Sequence, residues 1–318
     1  MVRTRERGVA WRERVLSQPE LVGTIGGMTA PLTNWANRQP FLRTGLQAVL
    51  GIHKDKLLPE FHGITFSDWY REQPKPAGDD SLAVLFHTCF VEYNNPAVGK
   101  ATVDVFARNG VSLRCPKQNC CGMPAFEAGD WEMTKKLAQS NVEALLPEVE
   151  AGRKIVAINP TCSYMMRMEY PEILGTEAAQ KVAGATMDLS EFLFARKQQG
   201  HFNRDFKSSP GKIGYHLPCH LKAQKIGYRS RDLMRLIPET SVKLVDQCSG
   251  HDGTWAMKKE FFPLSLLMGQ KAFDGMKDAE AETYATDCPL AAIQFDQAIG
   301  KRPLHPMEVL AQIGRAHV

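Results

Sequence analysis

The residues of this chain best suited to chemistry are its eight cysteines: Cys89, Cys115, Cys120, Cys121, Cys162, Cys219, Cys248 and Cys288. Thiolates select zinc or iron–sulfur clusters among metals, and vicinal thiols can carry electrons without any metal. Their order is patterned. Asn119-Cys120-Cys121-Gly122 is preceded by Phe86-His87-Thr88-Cys89 and followed by Asn159-Pro160-Thr161-Cys162. Gln247-Cys248-Ser249-Gly250 is preceded by Tyr215-His216-Leu217-Pro218-Cys219 and followed by Thr286-Asp287-Cys288-Pro289. Cys89 to Cys120 spans 31 positions and Cys219 to Cys248 spans 29; the following gaps are 42 and 40. Three cysteine positions therefore recur, which is the mark of an internal repeat. Cys115 has no counterpart and reads as a buried, inert thiol.

Zinc fingers and ribbons supply ligands as C-x(2–4)-C pairs, whereas Cys120 and Cys121 are adjacent. Neighbouring thiolates suit different irons of one cluster better than one small tetrahedral ion. Gly122 lets the backbone approach closely, and N–H groups there could bond cluster sulfurs. The residues thus favour an iron–sulfur cluster, with zinc as the alternative. A metal-free thiol pair at Cys120-Cys121 is the third reading. His87 and His216 recur near the motif, and His220 is a candidate to replace a missing thiolate.

The elements that must position these thiols alternate. Ser81–Phe86, Lys154–Ile158, Lys212–His216 and Thr283–Thr286 are short apolar runs that read as buried strands. Trp131–Val149 and Phe261–Met276 read as helices. Strands alternating with helices predict an α/β fold with parallel sheets, and the cysteines follow the strands, where such sheets bind ligands. The predicted organisation is two tandem pseudo-symmetric α/β units, 81–197 and 211–318, joined by the polar, breaker-rich stretch 198–211. Residues 1–80 form a helical, irregular N-terminal extension. In it Pro40–Leu50 is an amphipathic helix stopped by Gly51, and Gly23–Asn37 is broken by Gly26, Gly27 and Pro31.

Composition narrows the compartment and partners. The 318 residues carry 39 Lys and Arg against 35 Asp and Glu, a net charge of +4 that is too small to argue for nucleic acid. No run of roughly 18 apolar residues could span a membrane. The opening MVRTRERGVAWRERV lacks the apolar stretch of a secretory signal. A reducing, cytoplasmic setting is expected, where structural disulfides are disfavoured. The arginines at 3, 5, 7, 12 and 14 read as an exposed end or a docking element for an anionic surface. No Walker A or dinucleotide fingerprint is present, so flavin or nicotinamide chemistry would belong to another polypeptide.

Together these motifs resemble the duplicated CCG cysteine-rich domain found in the B subunit of heterodisulfide reductase, the iron–sulfur subunit of glycolate oxidase and the C subunit of anaerobic glycerol-3-phosphate dehydrogenase. The context Cys248-Ser249-Gly250 through Gly253-Thr254 and the ending His305-Pro306-Met307-Glu308 resemble the last of these most. The resemblance covers about residues 40–314. It implies an iron–sulfur oxidoreductase subunit, cytoplasmic or peripheral at the inner face of the membrane. Such a subunit transfers electrons between a ferredoxin-like or flavin dehydrogenase partner and a quinone, thiol or protein acceptor. It also implies a [4Fe-4S] cluster, in some members non-cubane. The family pattern per copy is one cysteine, then CCG, then CxxC. The matching ligands are Cys89, Cys120, Cys121 and Cys162 in the first copy and Cys219, Cys248 and Cys288 in the second. The departures are Met165, Ser249 and Ala291, each standing where the pattern expects a cysteine. No cysteine precedes Cys89, so the ferredoxin-like segment of larger relatives is expected on a separate chain, or this chain is a shortened one, or it works without that segment. The missing ligands also keep open a zinc-stabilised scaffold or assembly subunit.

Overall fold

The computed structural model describes residues 8–74 and 78–313; the arginines at 3, 5 and 7 lie outside them. Two parallel three-stranded sheets organise the chain. The first holds β1 (Ala83–Phe86), β2 (Lys154–Ala157) and β3 (Thr186–Asp188) in the order β1-β2-β3. The second holds β4 (Lys212–His216), β5 (Ser241–Val245) and β6 (Thr283–Thr286) in the order β5-β4-β6. The two orders look different but reduce to one. A parallel bridge from Val84 to Arg114 adds a rudimentary strand outside β1, and another from Ala285 to Leu304 adds one outside β6. Each sheet then runs second, first, third, fourth, the doubly wound order in which a crevice opens beyond the strand ends. All four residues of β1 are buried, as expected of a strand covered on both faces by helices.

The halves are α/β units related by a pseudo-two-fold, and they exchange helices. Leu189–Gln198, which follows β3, packs on Arg229–Met234 of the second half. Pro306–Ile313, which follows the last strand position, packs on Pro96–Arg108 of the first half. Their caps correspond. Asp188 opens the first helix with a capping box to Glu191. His305 opens the second; its N–H donates to Glu308 at 2.8 Å, and its Nδ1 accepts from the Met307 N–H at 3.1 Å. The exchange creates a central core shared by both halves, including Phe106, Phe192, Tyr215, Leu233 and Met307. Phe106 and Phe192 stack at 5.5 Å between centroids, an aromatic pair adding about 1 kcal/mol beyond area burial. Separate outer cores lie behind each sheet, around Phe86, Met165 and Tyr170 in the first half and Phe273 and Phe295 in the second.

Sequence patterning located β1, β2, β4 and β6 and the long helices, which run Trp131–Glu150 and Phe262–Lys277. The Pro40–Leu50 helix ends at Gly51 in a left-handed conformation, φ 74°. The stretch 23–37 is a correction. It is not irregular but forms two helices, Pro19–Met28 and Ala30–Ala36, with Pro31 in the first turn of the second. Gly23 and Gly26 are contact surfaces rather than breakers: a Cβ there would lie 2.4 Å from the Tyr93 ring and 2.6 Å from the Phe61 ring.

Candidate metal centre

In the first half the cysteines arrive from three strand ends. Cys89 lies in the helix Thr88–Tyr93 directly after β1. Thr88 before it has φ 73°, a conformation costly for a β-branched residue. Cys120 and Cys121 follow the rudimentary strand at Arg114 and precede the helix Met123–Glu127. Gly122 caps that helix at φ 90°, which fixes glycine as the third residue of the triplet. Cys162 lies in the helix Pro160–Tyr164 after β2. The thiols form a chain of contacts. Cys89 Sγ donates to Cys120 Sγ at 3.8 Å, and Cys121 contacts both Cys120 and Cys162. Cys120, Cys121 and Cys162 are buried and Cys89 is half-buried.

The shared protons set the charge. Hydrogen bonds from Cys121 and Cys89 hold Cys120 well below the usual thiol range despite its burial. Donating those bonds, and then burial, push Cys89 and Cys121 up. Cys120 is thus more acidic than Cys89 and Cys121, the two thiols that donate to it, and a metal would draw off the remaining protons. Backbone groups around it are fastened by residues that the motif does not contain. Glu20 Oε1 accepts from the Cys120 N–H at 2.5 Å. Asn141 Nδ2 donates to the Cys120 carbonyl at 3.0 Å, and the Tyr170 hydroxyl donates to the Cys121 carbonyl at 3.0 Å. Glu20 comes from the N-terminal extension, and its carboxyl is pushed up, chiefly by burial.

A cavity of about 330 Å³ opens beside Cys89 and Cys120. Cys115 lines it, half-buried, with its Sγ 3.2 Å from His87 Nδ1, and burial pushes it up to about 12, which keeps the thiol protonated and unreactive. His87 Nε2 lies 3.0 Å from Glu92, which also accepts from Ser67. His87 and His216 are not equivalent. Strand pairing sets His216 opposite Thr286 and Phe86 opposite Ala157, so His216 corresponds to Phe86, and its ring bonds Thr286 and the Gln247 carbonyl.

The second half is more open. Cys219 and Cys248 are exposed and Cys288 is half-buried. Gly250 again adopts a left-handed φ of 71°, and a Cβ there would lie 1.9 Å from the Ser265 carbonyl oxygen. Burial, with the Cys219 thiol adding, pushes Cys288 up to about 11 against the opposing Ala291 N–H. His220 does not turn toward these thiols. Its Nδ1 lies 2.9 Å from Thr161 Oγ1 and its ring stacks on Tyr164. Both cysteine sets border the junction of the halves: the Cys162 helix packs on the Cys219 helix, and Gly253 meets Glu127.

Helix caps revise the alignment of the third cysteine. Asn159 caps the helix beginning at Pro160, its side chain accepting from the Thr161 N–H. Cys288 caps the helix beginning at Pro289, its thiol accepting from the Ala291 N–H. Asn159 therefore corresponds to Cys288, and Cys162 corresponds to Ala291. The first half keeps the later cysteine of the CxxC pair and the second half the earlier one, so Met165 is not a lost ligand. The shared X-Pro helix start was the available signal.

The chain matches a profile of the CCG cysteine-rich domain twice, over residues 83–167 and 213–296. It belongs to the CCG cysteine-rich domain family. Among curated members, it is 32% identical over 305 residues to the C subunit of anaerobic glycerol-3-phosphate dehydrogenase of Escherichia coli, covering 95% of this chain and 76% of that one. It is 29% identical over 215 residues to lactate utilization protein A of Bacillus pumilus, covering 64% and 86%. It is 27% identical over 233 residues to the B subunit of the fumarate reductase (CoM/CoB) of Methanothermobacter marburgensis, covering 71% and 44%. The donor set suits the cluster chemistry of a CCG domain better than a lone ion. Among the described residues, no three Cys, His, Asp or Glu side chains are spaced to hold a single metal ion. A chain of thiols from separate loops is what a group of several metal atoms can use.

Proposed function

We propose that this CCG protein is an iron–sulfur subunit of an oxidoreductase, with Cys89, Cys120, Cys121 and Cys162 as ligands of one cluster, of [4Fe-4S] composition. The observation that carries this is the contact chain of four thiols from three strand ends, fastened by Glu20, Asn141 and Tyr170. A bound cluster would supply one-electron transfer. The protein's part is to present deprotonated thiols, fix the loops that carry them and cover the site. Cys219, Cys248 and Cys288 form a second, solvent-facing set with room for an exogenous ligand. Relatives named as subunits of a dehydrogenase and a reductase support a partner subunit. In this reading the partner is ferredoxin-like or flavin-bearing and the acceptor a quinone, thiol or protein.

A peripheral position at the inner membrane face fits the same reading. Among the described residues no helix is long and apolar enough to cross a membrane. Leu21 to Asn37 carries no charge, and Leu21, Ile25, Met28, Leu32 and Trp35 are exposed there, Met28 at 83%. Arginines at 12, 14 and 38 flank the stretch.

The deciding experiment measures iron, sulfide and zinc in anaerobically purified protein, with visible and EPR spectra. Iron and sulfide in equal amounts, lost in Cys121→Ser, are expected. Zinc without sulfide, or thiols that stay metal-free after reconstitution, would replace this reading with a scaffold or a thiol protein. Co-flotation with anionic vesicles, lost in Met28→Glu/Trp35→Asp, tests the membrane position; equal flotation of both proteins would refute it.

A further inference from the structure

The helix Pro19–Met28 has two working faces. Glu20, Gly23 and Gly27 recur at the spacing of one helical stripe, with Gly26 beside it. This stripe faces the first half. Glu20 Oε1 accepts from the Cys120 N–H at 2.5 Å. Gly23 leaves no room for a side chain above the Tyr93 ring, Gly26 leaves none above the Phe61 ring, and Gly27 lies against the His62 carbonyl. Thr24 Oγ1 donates to the Tyr93 hydroxyl at 3.4 Å. Tyr93 ends the helix that carries Cys89, and the two helices pack together. One stripe thus bonds the loop of Cys120 and seats on the helix of Cys89. With glycine in place of side chains, no deformable layer separates the backbone from the rings, so a shift of this helix is felt at both.

Leu21, Ile25 and Met28 form the opposite stripe and are exposed. Leu32 and Trp35 on Ala30–Ala36, and Phe41 and Val49 on Pro40–Leu50, are exposed as well. The charge of the segment points to what covers this face. The first fifty residues hold seven arginines, three glutamates and neither lysine nor aspartate, the whole of the chain's net charge of +4. Of the glutamates, Glu20 is turned inward to Cys120 and Glu13 pairs with Lys258. An uncharged apolar face set in an arginine-rich segment fits an anionic bilayer surface.

We propose that docking of this helix on an anionic bilayer closes the first-half thiol site. The proposal rests on the peripheral membrane position given above and not on the cluster. The seated helix presents its outer stripe together with those of the next two helices, so the bilayer favours the seated state. In that state Glu20 ties the Cys120 loop and, with Tyr93, walls the cavity beside Cys89 and Cys120.

Alkylation of the full chain by iodoacetamide, after chelation of any metal, tests this when read at each cysteine by peptide mass spectrometry, with co-flotation measured alongside. Phosphatidylglycerol vesicles should slow Cys120 about tenfold, the size of an ordinary coupling between two sites. Phosphatidylcholine vesicles should leave it unchanged. Cys219 and Cys248, exposed on the second half, are internal controls and should keep their rates. Ile25→Glu/Met28→Glu, a change confined to the exposed stripe, should remove both flotation and slowing. Gly23→Ala drives a Cβ into the Tyr93 ring and should leave Cys120 fast with or without vesicles. Floating protein whose Cys120 reacts at the vesicle-free rate or faster, or equal slowing at every cysteine, would overturn the coupling and leave the membrane position standing. Failure to float would overturn both.

Discussion

The first half buries its thiols beneath packed helices and ties their backbone to Glu20, Asn141 and Tyr170; the second leaves Cys219 and Cys248 facing solvent. Both halves keep the same sheet order and the same left-handed glycine after the second cysteine position. What differs is therefore the shell around the thiols rather than the scaffold. The enclosed set suits holding a cofactor, and the exposed set suits meeting something from outside. A duplicated unit can divide labour this way without changing its strand order.

Four measurements put this contrast at risk. Cys121→Ser should remove bound iron outright, whereas Cys248→Ser should leave the first-half iron in place; equal losses on iron assay would erase the distinction. The two glycines should also differ. Gly250→Ala forces a Cβ against the Ser265 carbonyl and should cost about 3 kcal/mol, while Gly122→Ala meets only its unfavourable φ and should cost about 1 kcal/mol. Urea unfolding of both variants compares them directly.

The third measurement concerns a buried pair of carboxyls. Asp188 and Asp287 are both buried and lie close enough for their charges to interact. Burial and the partner charge push Asp188 up to about 7, and burial pushes Asp287 up to about 6. The folded protein then holds more protons than the unfolded chain between pH 4 and 7, so this pair loses stability as pH rises through that window. The buried histidines His216 and His305, both lowered to about 4, act in the opposite sense, so the test is a difference. Asp188→Asn keeps the cap and should gain about 2 kcal/mol over wild type above pH 7, with no gain near pH 4. A pH-independent difference would show that the pair does not share a proton. The smallest effect is expected from Glu20→Gln, which weakens the acceptor for the Cys120 N–H. Iron affinity should fall about tenfold, read by chelator competition, with no change for a second-half metal.

Cys89, Cys162, Cys219 and Cys288 and four of the strands were legible in the sequence because each of these thiols follows a short buried apolar run, while the CCG and CSG triplets stood out by their repetition. The register of the third cysteine was not. Asn159 can take the helix-capping place of Cys288 because either side chain can accept a first-turn N–H, that of Thr161 for the Asn159 oxygen and that of Ala291 for the Cys288 sulfur. Equal spacing then aligned Cys162 with the wrong residue, and only the proline after each cap marked the offset. Glu20 was invisible for another reason: it comes from the extension, a hundred residues before Cys120, and carries no motif. Gly23 and Gly26 misled because a glycine needed for close approach looks the same as one that ends a helix. β3 was missed because it has only three residues, and β5 because only two of its five residues are buried.

The exchanged helices bear on how the chain reaches this fold. The Pro96–Arg108 helix finds its cover in Pro306–Ile313, near the far end of the described residues. During synthesis the first half must wait with an apolar face uncovered until the strands and helices of the second half have emerged. Neither half severed in the 199–211 segment would carry its own lid. Assembly is therefore a high-contact-order event, in which the two copies are completed together.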